Sequence, residues 1–235
     1  FTVGHGDCGN LESFPAEFLR QAAEYYQDGR YEWALRRNGA NRGEGERAGV
    51  LDVVGSIQPQ EPTDLLGIQV APMSPHFYNL RKTTMPDQPE PNIPIERSFD
   101  KISFRRAYGS EDEHLMLDGI GMGSHGHVDV NGVTHYTDNG RIWLMDVSYA
   151  EAPGMRDHNV VTVLRDGKTV DPPPLAVLDG TADLETVGFC QTSLPGYCGM
   201  DWRRSILWSK DRYFLFIDKL VAVEAGDYSM RVHWR

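Results

Sequence analysis

The sequence predicts a mainly β protein, an antiparallel β-sandwich preceded by a short helical segment. Beyond Val50, apolar runs of strand length alternate with clusters of Gly, Pro, Asn and Asp, and no helical run intervenes. Many short strands joined by close turns are typical of an antiparallel sandwich or barrel. Two of the turns, Asp138-Asn139-Gly140 and Asp166-Gly167, have the chemistry of β-hairpin loops.

The helical segment comes first along the chain. Its apolar residues follow the spacing of one helix face: Phe18, Leu19, Ala22, Ala23 and Tyr26. This spacing assigns Tyr26 to the core. Ser13 predicts the N-cap, and Asp28-Gly29 predicts the end of this helix before a second short one. The stretch 38–46 predicts an exposed connection, so we expect residues 1–48 to form the helical segment and linker and 49–235 the sandwich.

The remaining elements are strands and loops. Prolines recur between positions 71 and 94, which predicts an extended surface loop because proline interrupts helices and central strands. Strand signals follow in close succession, over 98–107, 114–117, 128–136, 141–147, 159–164, 184–190, 202–208, 213–223 and 228–234.

Composition narrows the class of function. The formal charge of −11 argues against a nucleic-acid partner, and no apolar stretch approaches the length of a membrane span. An acidic polysaccharide would need a locally basic cleft. Arginine pairs that could line one, or could equally be scattered solvated charges, are Arg36 and Arg37, Arg105 and Arg106, and Arg203 and Arg204.

The cysteines and the chain ends leave the compartment open. Three cysteines are too few for a disulfide scaffold. Cys190 and Cys198 flank a predicted turn at 193–196, so a hairpin disulfide is possible in an oxidising compartment. Phe1 is not a translation start, so we expect that targeting information was removed or was never included, and the last strand run stops without a turn, as at a cut end.

The densest group of possible metal ligands lies within 124–161. On a strand, His125, His127 and Asp129 would share one face, since side chains alternate with a period of two. The turn at 138–140 would bring Asp146 back toward them, and His158 can return to the same edge. Two imidazoles, a carboxylate and a water suit a tetrahedral zinc ion, although a His-x-His pair also occurs on half-buried strands without a metal.

The order of these blocks resembles that of the heparinase II/III-like polysaccharide lyases. That family's β-domain has an H-x-H-x-D-x-N strand, a glycine turn, a strand ending in Asp, and an H-N-V-v block. The matching residues here are His125 to Asn131, Gly140, Leu144-Met145-Asp146 and His158-Asn159-Val160-Val161. The similarity is clear over 105–235 and weaker over 1–47.

The resemblance implies an (α/α) toroid followed by the sandwich, with structural zinc held by His127, Asp146 and His158. It also implies β-elimination of a uronic-acid-containing acidic polysaccharide by a secreted or periplasmic enzyme. His125 would face the substrate, Tyr149 could reach the same cleft, and Arg105 and Arg106 could bind the substrate. The toroid residues that supply much of the chemistry in that family are mostly absent, so we expect little activity from this chain alone. The oligomeric state stays open.

Two other interpretations compete. The chain could be a non-catalytic, zinc-stapled β-domain that binds carbohydrate or supports a neighbouring domain. The segment 124–129 also resembles the H-x-H-x-D motif of metallo-β-lactamase-like hydrolases. That family requires a His directly after the Asp, where Val130 stands here, and it requires helices between the strands.

Overall fold

A computed structural model describes residues 16–39, 57–76, 78–79, 90–121, 128–146 and 154–235. The described residues fall into two compact units, a helical unit up to Leu65 and a β unit from Leu66 to Arg235. The predicted boundary between positions 48 and 49 lies outside the described residues. Residues 57–65 group with the helices.

The helical unit contains the two predicted helices, α1 (Ala16–Tyr26) and α2 (Gly29–Gly39). Glycine is required at the start of α2, because a Cβ at Gly29 would lie 2.2 Å from the Gln58 carbonyl oxygen. Tyr26, predicted to be core, is instead 63% exposed and stacks on Tyr31. Neither helix is long and apolar enough to cross a membrane. The predicted cap, Ser13, lies outside the described residues.

The β unit confirms the predicted antiparallel fold. One sheet has the order β1 (Gly67–Pro72), β2 (Phe99–Arg105), β3 (His114–Asp118), β4 (Val133–Asp138) and β5 (Arg141–Met145). A two-stranded sheet pairs β6 (Val161–Arg165) with the last strand, β11 (Tyr228–Val232). The third sheet contains β7 (Val177–Asp183), β8 (Val187–Tyr197), β9 (Met200–Ser209) and β10 (Tyr213–Ala222), in the order β10-β9-β8-β7.

Aromatic side chains join the sheets into one core. Phe104 of β2 packs edge-on against Trp208 of β9, with ring centroids 6.1 Å apart, and Phe214 of β10 stacks on Trp208 at 5.6 Å. Phe104 and Trp208 are completely buried. Burying a side chain of this size stabilises the fold by about 1.5–3 kcal/mol, so this contact is a main link between the two larger sheets.

Several local predictions are corrected. The strands β1 and β7 were not predicted, since β1 runs into the proline-rich stretch and β7 carries polar residues and a glycine. The turn after β8 is Cys198-Gly199, with φ of 52° and 82°, and residues 193–196 belong to β8. Cys190 and Cys198 are buried free thiols. The predicted hairpin turn at Asp166-Gly167 is confirmed, because Arg165 pairs with Lys168 across it, although the rest of β6 pairs with β11.

Candidate metal centre

Asp129 is presented by a tight turn. Asn131 has a φ of 61°, and the Gly132 amide donates to the Asp129 carbonyl at 2.7 Å. A Cβ at position 132 would lie 2.4 Å from that oxygen, so glycine is required there. The strand predicted from position 128 is therefore wrong over its first residues, because β4 begins only at Val133.

Asp146 is held by the hairpin of β4 and β5. The predicted turn at Asn139 and Gly140 is confirmed, with φ of 52° and 68°, as the mirror-image turns of hairpins require. Asp146 directly follows β5, and its amide donates to the Thr134 carbonyl at 2.9 Å. The side chain is therefore fixed at the end of the first sheet.

His158 comes from a different connection. A 3₁₀ turn over Met155–Asp157 precedes it, and its amide closes this turn by donating to the Met155 carbonyl at 3.3 Å. The imidazole is buried, and its Nδ1 lies 2.5 Å from Asp146 Oδ1. This contact orients the ring so that Nε2 is the nitrogen left for another partner.

The three side chains form one buried cluster. One potential ligand atom from each of Asp129, Asp146 and His158 lies within 4.8 Å of the others. Both Asp129 oxygens, Asp146 Oδ2 and His158 Nε2 have no hydrogen-bond partner among the residues that the structure describes. Since buried polar atoms are almost always paired, the cluster could hold a metal ion.

The electrostatics of the cluster fit a cation. Burial raises the pKa of Asp129 well above its ordinary value, and the carboxylates of Asp118 and Asp146 raise it further. Asp118 pairs with Lys101, whose Nζ lies 2.9 Å from Oδ1. Within the described ranges, Asp129 has no such ion pair. A divalent ion would offset the repulsion, and carboxylate and imidazole donors suit zinc and other divalent transition metals.

A buried arginine braces the two loops that carry these ligands. Arg204 Nη1 donates to the carbonyl of Asn131 at 2.9 Å and to that of Asn159 at 3.2 Å. Asn131 lies two residues after Asp129, and Asn159 directly follows His158. The guanidinium is completely buried and forms two hydrogen bonds with Asp218, at 2.8 and 3.0 Å. It therefore connects the ligand loops to β9 and β10.

The structure describes only some of the other residues that were predicted to form the site. His125, His127 and Tyr149 lie outside the described residues, so their roles stay predictions. Arg105 lies 2.9 Å from the ring nitrogens of His114, and Arg106 pairs with Asp211 at 2.9 Å on the surface. The predicted role of both arginines in substrate binding stays a prediction.

Two members of the arrangement were missed from the sequence. Asp129 was placed on the histidine face but was not assigned as a ligand. The signal was the dipeptide Asn131-Gly132 just after it, which is typical of a tight turn. Arg204 was expected, with Arg203, to line a basic cleft or to be a solvated charge, and its complete burial contradicts this, since no local pattern distinguishes a buried arginine from an exposed one.

Comparisons with known proteins add the fold relationship. No protein-family model matches the sequence, and no curated protein matches it. Solved structures do match. A mutant of the heparan sulfate lyase HepC from Pedobacter heparinus has a TM-score of 0.59 and 14% identity, covering 94% of this chain and 29% of that one. A heparinase III gene product has a TM-score of 0.57 and 14% identity, covering 91% and 28%.

The chain shares a fold with part of these lyases. At such low identity the similarity establishes a distant structural relationship and no more. The chain spans less than a third of the length of either structure. Both the helical unit and the sandwich are consistent with the predicted fold class of a short helical segment and a β-sandwich.

Proposed function

We propose that this chain is the β-sandwich part of a polysaccharide lyase that cleaves a uronic-acid-containing polysaccharide by β-elimination. The observation that carries the proposal is the buried Asp129, Asp146 and His158 cluster on a fold similar to heparan sulfate lyases. In the same proposal the protein is secreted or periplasmic, where such polysaccharides are found.

The metal in this proposal is zinc, with a structural role. Asp146 and His158 would bind it, together with His127, which the resemblance implies, and with Asp129, which the described geometry adds. Because the three described ligands come from separate connections, a bound ion would cross-link the turn at 130–131, the end of β5 and the 3₁₀ turn. Its chemistry would be to neutralise the two carboxylates.

The reaction sets requirements that this chain meets only in part. The uronate carboxylate must be neutralised, a base must remove the C5 proton, and an acid must protonate O4 as the C4–O4 bond breaks and the C4=C5 bond forms. We assign the base and acid to a Tyr and a His or Asn of the helical domain, as the resemblance implies. His125 would contact the substrate from the sandwich, with Tyr149, Arg105 and Arg106 as further candidates.

The decisive experiment measures elimination directly. The natural protein that carries this chain is incubated with heparan sulfate, alginate and ulvan, and unsaturated uronate products are followed by ultraviolet absorbance. We expect product with one of them, and we expect the 235-residue chain alone to give little or none. Absence of product from the natural protein on every uronate would overturn the lyase assignment and favour a zinc-stapled, carbohydrate-binding β-domain.

The zinc assignment has its own test. Elemental analysis of the chain purified without added metal should show about one zinc per chain, because a closed structural site retains its ion. The double variant His127→Ala, Asp146→Ala should contain none. Stoichiometric metal that survives both substitutions would contradict the ligand set while leaving the lyase assignment untouched.

A further inference from the structure

A groove lies beside the metal centre on the sheet formed by β6 and β11. Its floor comes from both strands, where Thr162 pairs with Arg231 and Leu164 with Ser229 in the antiparallel register. Paired residues point to the same side of a sheet, and the neighbours Val161 and Val163 point the other way into the core. The groove has a volume of about 740 Å³.

The walls of this β6–β11 groove come from loops. One wall is the segment Gly154-Met155-Arg156, which leads directly to His158, and Val128, next to Asp129, also lines the groove. Thr169 and Asp171 also line the groove. The groove therefore shares its loops with the metal centre, although the metal ligands themselves do not line it.

The groove is locally cationic in a chain of net charge −11. Arg156 is 79% exposed at its side chain and lies 3.6 Å from Asp157, whereas Arg231 is exposed and forms no ion pair within the part of the chain that the structure describes. Asp171 is the acidic residue of the lining. Burial lowers the pKa of His233, the nearby charges of Arg231 and Arg235 lower it further, and Asp157 partly offsets them.

The lining also offers neutral polar groups and apolar surface. The Thr162 hydroxyl oxygen is buried and has no hydrogen-bond partner among the described residues. Ser229 and Thr169 add further hydroxyl groups, and Leu164, Met155 and Val170 provide apolar contact area. A sugar ring presents the complementary combination, with hydroxyl groups at its edge and C–H groups on its faces.

We propose that the β6–β11 groove binds an acidic oligosaccharide, with Arg231 and Arg156 contacting its carboxylate or sulfate groups. Guanidinium groups recognise such anions through paired hydrogen bonds. The choice of a uronic-acid saccharide rests on the proposed function, whereas the charge and shape of the groove stand by themselves.

Calorimetric titration of the 235-residue chain tests the groove. The ligands are a heparan sulfate oligosaccharide, an unsulfated alginate oligosaccharide, inorganic sulfate and a single-stranded DNA of matched charge. We expect Arg231→Ala to weaken the preferred oligosaccharide about tenfold or more, since hydrogen bonds to charged groups contribute about 1.5–3 kcal/mol. The matched control is Arg212→Ala, another exposed arginine that does not line the groove, and we expect it to leave affinity nearly unchanged.

Each outcome decides a specific point. Equal losses in Arg231→Ala and Arg212→Ala would show diffuse charge attraction and overturn the groove. DNA that binds as tightly as the oligosaccharides would overturn the saccharide assignment, and so would binding of inorganic sulfate alone. If the chain binds no oligosaccharide but the natural protein still forms unsaturated uronate, the groove fails and the lyase stands. If the chain binds an oligosaccharide selectively but the natural protein forms no unsaturated uronate, the groove stands and the lyase assignment fails.

Discussion

Two buried polar clusters lie side by side in this protein. In one the charged groups are fully paired, and in the other they are not. In the Arg204–Asp218 cluster, the guanidinium reaches two carboxylate oxygens and two backbone carbonyls. In the Asp129–Asp146–His158 cluster, four potential ligand atoms lack partners among the described residues. Full internal pairing identifies a brace, whereas the lack of partners among the described residues leaves a buried cluster that could hold a cation.

The largest effect should come from removing the partner of the buried arginine. We expect Asp218→Asn to lower the free energy of unfolding by about 3–5 kcal/mol, because Arg204 then keeps a buried charge without its counter-ion. Urea denaturation monitored by tryptophan fluorescence measures this. A loss below about 1 kcal/mol would mean that the carbonyls of Asn131 and Asn159 are sufficient to stabilise the Arg204 charge. Pairing with Asp218 would then not distinguish this cluster from the metal centre.

Metal removal should have the next largest effect. With free zinc at a hundredfold its dissociation constant, the wild type should gain about 2.7 kcal/mol of stability, and a chelator should abolish this gain. Asp129→Asn and Asp146→Ala should remove most of the gain, since each replaces a carboxylate that would bind the ion. The control Asp227→Asn changes an exposed carboxylate and should respond to the chelator like the wild type. An unaltered response in Asp129→Asn would exclude that residue as a ligand.

His114 is a third buried polar group, and it is accommodated in the core by losing its proton. Burial, followed by Arg105 and His135, lowers its pKa from 6.5 to about 2. Between these values the unfolded chain binds a proton that the folded chain does not, so stability is full above pH 6.5 and falls as the pH falls below it. The expected slope is about 1.4 kcal/mol per pH unit, and His114→Gln should remove this contribution. Equal slopes in wild type and variant between pH 6.5 and 5 would contradict the assignment.

The smallest effect should come from a surface pair of the same chemical type as the brace. Arg106 and Asp211 are 2.9 Å apart but largely exposed. We expect Asp211→Asn to cost less than about 1 kcal/mol, because water screens the pair and Asn tolerates the positive φ of 62° at this position. Thermal or urea unfolding beside Asp218→Asn gives the comparison. A cost as large as that of Asp218→Asn would show that burial does not separate the two pairs.

Sequence patterns predicted the fold class and part of the candidate metal site. Turn residues and alternating strands predicted the antiparallel sandwich, and the Asn139-Gly140 turn was located to the residue. The strand β7 was not predicted, because an edge strand can pair with little apolar alternation and the polar residues and glycine of β7 are typical of a turn. Tyr26 was misplaced because helical spacing identifies a face but not what covers it.

Asp146 and His158 were assigned as ligands from the resemblance to the lyase family, and the readable hairpin turn supports only the return of Asp146 toward the cluster. The position of Asp129 depends on a turn that interrupts an apparent strand. The Arg204 contacts depend on how β9 packs beneath both loops. The residues next to Arg204 in the sequence do not indicate this packing. Long-range packing therefore decided the part that sequence reasoning missed.

Arg204 also has a consequence for the order of folding. It reaches the Asn131 carbonyl across 73 residues of sequence and the Asn159 carbonyl across 45. Contacts of such separation form only after the entropy of closing long loops has been spent. The hairpin of β4 and β5 needs only nearby residues, whereas the Arg204 contacts need β9 in place, so we expect the metal pocket to be completed late in folding.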